Sequence, residues 1–468
     1  MTDAPVLTQL ANLATGNVPA DVLAGIPARI IDIVGIGVRA STLDTSQAAI
    51  GYAVDQGSAP QSTAIGTTKR MSAAEAAFVN GVLAHSLDYD DTHLPSILHP
   101  SASVVPAALA IAEWTDASGP ALLDAVAVGL EIAVRLGMGG FDPDARQSVY
   151  FERGQHATSI CGAIGSAAAA SRLLGANDAT VQDAMGIACS MASGIIEANR
   201  AGGTVKRLHC GWAARSGVAA AQLAVRGITG PPTAIEGRFG LFQAFLGDDG
   251  DVDATLADLG AHWEAAGIFY KPYPANHFTH TGIDAAIALR AGGLVPDDIA
   301  SATLAVAPPT VRTIGDPIEK KRLPETGYQA QFSGPYTVVA GLLGGGGLGL
   351  GLDDFSDELA VDPTRRELMS RVNVVGDADF LEVYPYQFPG RLTVETTDGN
   401  TLVEEVLTNR GGSDRPLSTD ELARKFADNV DGLLADDTAE QLTTSLADLA
   451  SAESVAAALA PLNSVVAP

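Results

Sequence analysis

Between Ala157 and Leu174 almost every side chain is small, and Ile160, Ile164 and Ala168 recur at helical spacing. A helix of this kind has little protruding apolar bulk, so it is stable only where other helices bring their backbones close. Residues 1–269 supply suitable neighbours. Ala121–Leu136 sets Leu122, Val126, Leu130 and Val134 on one face, and Gly217–Val225 continues the small-residue style. Proline falls mainly between these segments, as at Pro95, Pro100, Pro120 and Pro231-Pro232. The pattern predicts a large all-helical domain.

After Tyr270 the period changes. Ala302, Leu304 and Val306 alternate with polar or small residues, as in a half-buried strand. Leu392, Val394 and Thr396 alternate with Thr393, Glu395 and Thr397; Asp398-Gly399 supplies a hairpin turn, and Thr401–Leu407 returns. A helical stretch, Phe332–Leu343, lies between, and the uncharged run to Leu352 reads as a buried helix ending in a glycine-rich loop rather than a membrane span. At Gly411-Gly412-Ser413-Asp414-Arg415-Pro416 the chain turns polar, and Ser418-Thr-Asp-Glu421 is a capping box opening a new helix. The expected fold is mainly α: a helical domain from residues 1–269 and 411–468, with a smaller α+β domain, 270–410, inserted. A length of 468 residues accommodates two or three domains of about 150 each.

Lys and Arg total 28 against 55 Asp and Glu, a net charge of −27. Such a surface repels nucleic-acid phosphates and anionic lipid, so neither is an expected partner. Three cysteines, Cys161, Cys189 and Cys210, with no CxxC, do not form a disulfide scaffold or a cysteine zinc site. Met1-Thr-Asp-Ala-Pro5 has no basic or apolar leader signature, so the expected location is cytoplasmic.

Several of the eight histidines keep unusual company. His85-Ser-Leu-Asp88-Tyr-Asp90-Asp91-Thr92-His93 is followed by His99-Pro-Ser. This segment admits three readings: a solvated capping loop, a divalent-metal site, or acid–base catalysis by a His tuned by carboxylates. Arg153-Gly-Gln-His156 precedes the small-residue helix, where a His is a cap, a surface group or part of an anion site. Lys206-Arg207-Leu-His209, bracketed by glycines, reads as a basic loop or a carboxylate clamp. Lys271-Pro-Tyr-Pro-Ala-Asn276-His277-Phe-Thr-His280 gathers a cation, an amide and two imidazoles, and Tyr336 of Phe332-Ser-Gly-Pro-Tyr either donates a proton or packs. Dinucleotide, P-loop and nucleophile-elbow motifs are absent from the sequence.

Taken in order, Asn80–Thr92, His99-Pro-Ser, Gly154-Gln-His156, Lys206–Ala214, Lys271-Pro-Tyr-Pro and Phe332–Tyr336 resemble the MmgE/PrpD family, which includes 2-methylcitrate dehydratase, cis-aconitate decarboxylase and iminodisuccinate epimerase. The resemblance implies a homodimer, an active site in the cleft between the two domains, and action on small di- and tricarboxylates without metal or organic cofactor. It carries catalytic roles onto Asp88, His99, His156, Lys206 and Tyr336. It also assigns substrate contacts to Thr92, Lys271, Arg207, His209, Asn276 and His277. One departure stands out: in the decarboxylases the Pro-Ala pair of this segment is followed by a His, where this chain has Asn276.

The shared chemistry is proton removal next to a carboxylate, with lysines stabilising the anion that forms. Elimination of a hydroxyl then gives a dehydratase, the leading expectation. Reprotonation from the other face gives an epimerase of an iminodisuccinate-like diacid, the alternative, and decarboxylation of cis-aconitate ranks below both. A carboxylate-binding protein without catalysis and a metal-dependent hydrolase are the competing classes.

Overall fold

Helices dominate the computed structural model of the chain, which describes residues 4–464. The first of two units holds the described residues of Met1–Ser86, Pro95–Ile268 and Asn429–Pro468; the second holds Leu87–Leu94 and Phe269–Asp428.

In the first unit six helices matter for function: α1 (Ala73–His85), α2 (Ser101–Thr115), α3 (Gly119–Met138), α4 (Ala157–Leu173), α5 (Asp178–Met191) and α6 (His209–Ala224). The small-residue helix α4 is central and packs against α2, α3, α5 and α6. Its side chains from Ala157 to Ser171 are buried. The close approach that its composition predicts is realised at glycines: a Cβ on Gly129 of α3 would lie 2.8 Å from the carbonyl oxygen of Gly165 in α4. Helices α1 and α6 cross as tightly, with Gly81 so placed that a Cβ there would meet Gly211 Cα at 2.7 Å. Local signals set the helix starts. Ser72 accepts a hydrogen bond from Glu75 N at 3.4 Å, and Ser118 one from Ala121 N. The unit departs from an all-helical reading in two short hairpins, Ser62–Thr63 with Arg70–Met71 and Phe141–Asp142 with Gln147–Ser148. Each is two residues per strand, too short for alternation to show in the sequence.

The second unit contains helices α7 (His280–Ala291) and α8 (Gly334–Leu343), α9 (Thr419–Val430) as far as Asp428, and the strands β1 (Ile299–Val306), β2 (Val372–Gly376), β3 (Gly390–Thr396) and β4 (Thr401–Val406). The strands form one sheet in the order β4-β3-β1-β2, with β1 and β2 parallel and the other pairs antiparallel. Leu304 and Leu392 are fully buried, and Val394 with them, as the alternation requires. The β3–β4 hairpin turns at Gly399, whose φ of +88° suits glycine. Helix α8 starts at Gly334, two residues inside the expected stretch, with Ser333 Oγ accepting from Tyr336 N at 3.0 Å.

The capping box at the start of α9 is present: Ser418 Oγ accepts from Glu421 N at 3.2 Å, and Ser418 N donates to Glu421 Oε2 at 2.8 Å. The return to the first unit comes at Asn429, however, later than the polar turn at 411 suggests. Three contacts keep residues 411–428 with the second unit. Tyr270 N donates to Gly411 O, Arg410 pairs with Glu421, and Lys425 Nζ donates to Tyr89 O at 3.1 Å. Among the described residues no helix is long and apolar enough to cross a membrane.

Candidate active site

Four imidazoles meet in the helical unit. Helix α1 ends on His85, the turn before α2 supplies His99, His156 stands at the N-cap position of α4, and α6 opens on His209. Ring centroids are 5.4 Å apart for His85 and His99, 5.4 Å for His85 and His156, and 4.9 Å for His156 and His209. His156 makes no side-chain cap, which leaves its ring to the cluster. Its Nδ1 lies 2.9 Å from Nδ1 of His209. The backbone fixes this row. His99 N donates to Thr158 Oγ1 of α4 at 3.2 Å, His156 N to Gly194 O at 3.1 Å, and Ser159 Oγ to His209 O at 3.1 Å.

Lys206, buried in the single turn Val205–Leu208, stands three residues before His209. Burial is the main cause that holds His156 well below the usual imidazole range, and the neighbouring charges of His85, His209, Lys206 and His99 act in the same direction. Burial, then His85 and Lys206, brings His209 down to about 4. At neutral pH both rings are therefore uncharged, each with a basic nitrogen lone pair, beside a buried ammonium. Such a set is suited to take a proton from carbon and to hold an anion. Arg207, the other cation of this segment, donates to Thr45 Oγ1 at 2.9 Å on the helix Asp44–Asp55. Cys161 cannot serve as a nucleophile here, since burial pushes its thiol up to about 12.

A second buried group lies in the other unit. Lys271 Nζ donates to the carbonyl oxygen of Asp88 at 2.8 Å and stands 3.2 Å from its carboxylate Oδ2. Asp88 adopts φ +51°, an uncommon backbone state for a residue with a side chain, and both its oxygens thereby face one ammonium. His280 Nε2 donates to Ala275 O at 3.1 Å, which leaves Nδ1 as its unprotonated nitrogen. Burial lowers His280 to about 3, and the Lys271 charge adds to that. His277 stacks on His280 with ring centroids 4.4 Å apart and meets Phe269 and Phe388 edge-on.

The remaining expected site residues fall as follows. Thr92 is buried in the two-residue strand Thr92–His93. Asn276 caps a turn, its Oδ1 accepting from Phe278 N at 3.1 Å. Tyr336 is fully buried in α8; its hydroxyl donates to Asp354 O and accepts from Arg365 Nη1 at 3.4 Å, and burial raises it to about 12. Thus His99, His156, His209 and Lys206 come together in one unit and Asp88 with Lys271 in the other, while Arg207, Asn276 and Tyr336 are engaged elsewhere. Sequence reasoning omitted His85, His280 and Lys425 from the site. Lys425 is buried, with Nζ 3.8 Å from the Tyr89 ring centroid. The spacing from Asn80 to His85 carried a signal, but Lys425 lies in an ordinary amphipathic helix. Among the described residues no three His, Cys, Asp or Glu side chains converge as ligands for a metal ion.

Sequence comparison adds an independent observation. The MmgE/PrpD N-terminal domain matches residues 8–252 and the MmgE/PrpD C-terminal domain residues 273–450. Human cis-aconitate decarboxylase is 32% identical over 447 residues, covering 93% of this chain and 89% of that protein. The mouse cis-aconitate decarboxylase is also 32% identical, over 89% of this chain and 84% of its own. A cis-aconitate decarboxylase-like protein of Aspergillus oryzae is 27% identical over 98% of this chain and 97% of its own.

Proposed function

Because the chain belongs to the MmgE/PrpD family, we propose that it is a lyase of a small di- or tricarboxylate that works without a cofactor, and that its reaction is a dehydration. The observation that carries this reading is the row of buried imidazoles beside Lys206, with His156 and His209 neutral at pH 7. His156 is the base that takes the proton next to a substrate carboxylate. The electron pair left on carbon becomes the new double bond as the hydroxyl leaves, protonated by His99. Lys206 stabilises the negative charge that develops on the carboxylate, a contribution often the largest in such steps. Lys271 and Thr92 are proposed substrate contacts, with Asp88 holding Lys271. Tyr336, whose hydroxyl is bonded within its own unit, is assigned a packing role.

The names of the relatives favour a second reading, decarboxylation of cis-aconitate. Against it stands Asn276, whose side chain caps a turn where the decarboxylases have a His. Epimerisation of an iminodisuccinate-like diacid would use the same base. Proton NMR in D₂O with 2-methylcitrate, citrate, cis-aconitate and iminodisuccinate separates them. An alkene signal from a hydroxy acid supports dehydration, and a terminal methylene pair from cis-aconitate replaces it with decarboxylation. Deuterium wash-in with inversion and no alkene means an epimerase. The proposal extends to the family arrangement, a helical domain with an inserted α+β domain, and to a cytoplasmic homodimer; a mass of 47.8 kDa by light scattering would reject the dimer.

A further inference from the structure

We infer that His209 is a positioning residue: its Nδ1 accepts a hydrogen bond from His156 Nδ1–H, which fixes His156 in the tautomer that leaves Nε2 free as the base. This deepens the reading of His156 as the base and rests on it. At 2.9 Å the two Nδ1 atoms share a single proton, since two N–H groups would face each other head-on. If His209 donated, His156 would spend its Nδ1 lone pair and carry its proton on Nε2, with no nitrogen left to accept a proton from carbon. Only the opposite assignment yields a base.

The backbones of both rings are tied to the same turn of α4. His156 precedes that helix, and Ser159, one turn on, donates to His209 O at 3.1 Å. The pair is therefore held in register, as the third member of a catalytic triad holds its histidine. When the substrate C–H bond breaks, its electron pair stays on carbon and the proton forms a bond to His156 Nε2. The positive charge gained by His156 turns the Nδ1–H···Nδ1 contact into a charge-assisted bond, stronger than before the transfer. It offsets the repulsion that the new imidazolium meets from Lys206 and, where protonated, from His85 and His99, the titratable groups that face it. An interaction that strengthens only as charge develops raises kcat and leaves KM nearly unchanged.

The test combines ¹⁵N NMR of histidine-labelled protein with kinetics of two variants on whichever acid responds in the panel above. In the wild-type protein at pH 7, His156 is expected to show a protonated Nδ1 and an unprotonated Nε2. His209→Leu should mix the tautomers and lower kcat about 10- to 100-fold at a similar KM, as expected for losing a hydrogen bond to a charged group. His209→Asn, whose amide oxygen falls near the position of Nδ1, should restore the tautomer and most of the rate. An unprotonated Nδ1 on His156 in the wild-type spectrum overturns the assignment. So does a His209→Leu enzyme with unchanged kcat, or Leu and Asn variants equally impaired through KM, which would make His209 a substrate contact. Full turnover by His156→Ala would instead remove the base reading, while the wild-type nitrogen spectrum, which needs no variant, still decides the bond.

Discussion

His156 and Asp88 show how single residues are set apart from their neighbours. His156 sits where a capping side chain is expected, yet its ring turns into a row of imidazoles and away from the helix amides. If it is the base, His156→Gln should lower turnover by about 10²- to 10⁴-fold, the usual contribution of a general base, with a circular dichroism spectrum and melting temperature close to wild type. Retention of more than a tenth of the rate would give the role to another ring. Asp88 is a different case, because its carboxylate balances a lysine that is wholly inside the protein. Asp88→Asn keeps the side-chain shape and tolerates the positive φ, so it removes little but charge. Leaving the Lys271 ammonium uncompensated should cost about 3–5 kcal/mol in urea unfolding. A loss below about 1 kcal/mol would show that the Asp88 carbonyl alone suffices for Lys271.

At the scale of elements, the crossing of α1 and α6 positions two members of the imidazole row. Gly81 lies four residues before His85, and Gly211 two residues after His209. The helices touch backbone to backbone at these glycines, so a methyl group on Gly211 would run into the Phe78 carbonyl and Val82. Gly211→Ala should therefore destabilise the protein by about 1–3 kcal/mol, typical of overpacking. It should also depress turnover beyond the effect of Ala at a half-buried α6 position away from the crossing such as Gln222, by shifting His209 against His156. Equal turnover in the two variants would detach the crossing from the site. Much at this scale was legible. The small side chains of α4 already required close neighbours, and Ser418 and Asp398-Gly399 marked a capping box and a hairpin turn through local chemistry that the fold retains. What escaped notice depends on distant partners. His85 and His280 stand in segments singled out for their histidines, but nothing local shows what their rings face, and no motif marks Lys425. Each acquires meaning only from residues far along the chain, such as His156 for His85 and Tyr89 for Lys425. The assignment of Leu87–Leu94 and of residues 411–428 to the second unit escaped for the same reason: long-range contacts leave no trace in the local composition.

For the whole molecule, buried neutral histidines make stability depend on pH in a definite direction. In the unfolded chain a histidine titrates near 6.5. In the folded protein His280 titrates near 3 and His209 near 4, and His156 is also held well below its ordinary value, in each case chiefly by burial. Below about pH 6.5 the unfolded state thus binds protons that the folded state refuses. Stability is full above that pH and falls as the medium is acidified, until the folded groups titrate in turn. The net charge of −27 acts in the opposite direction over the same range, because acid relieves the repulsion among carboxylates. A single melting curve against pH mixes the two effects, but a comparison of variants does not, since a histidine replacement leaves the carboxylates untouched. His280→Gln keeps a polar side chain and removes one titrating ring. Between pH 6 and 5, above the main carboxylate range, the unfolding free energy of wild type should fall about 1.4 kcal/mol per pH unit more steeply than that of His280→Gln, which is one proton. Parallel slopes would mean that His280 is protonated in the folded state, and the Ala275 hydrogen bond would then no longer define which nitrogen is free.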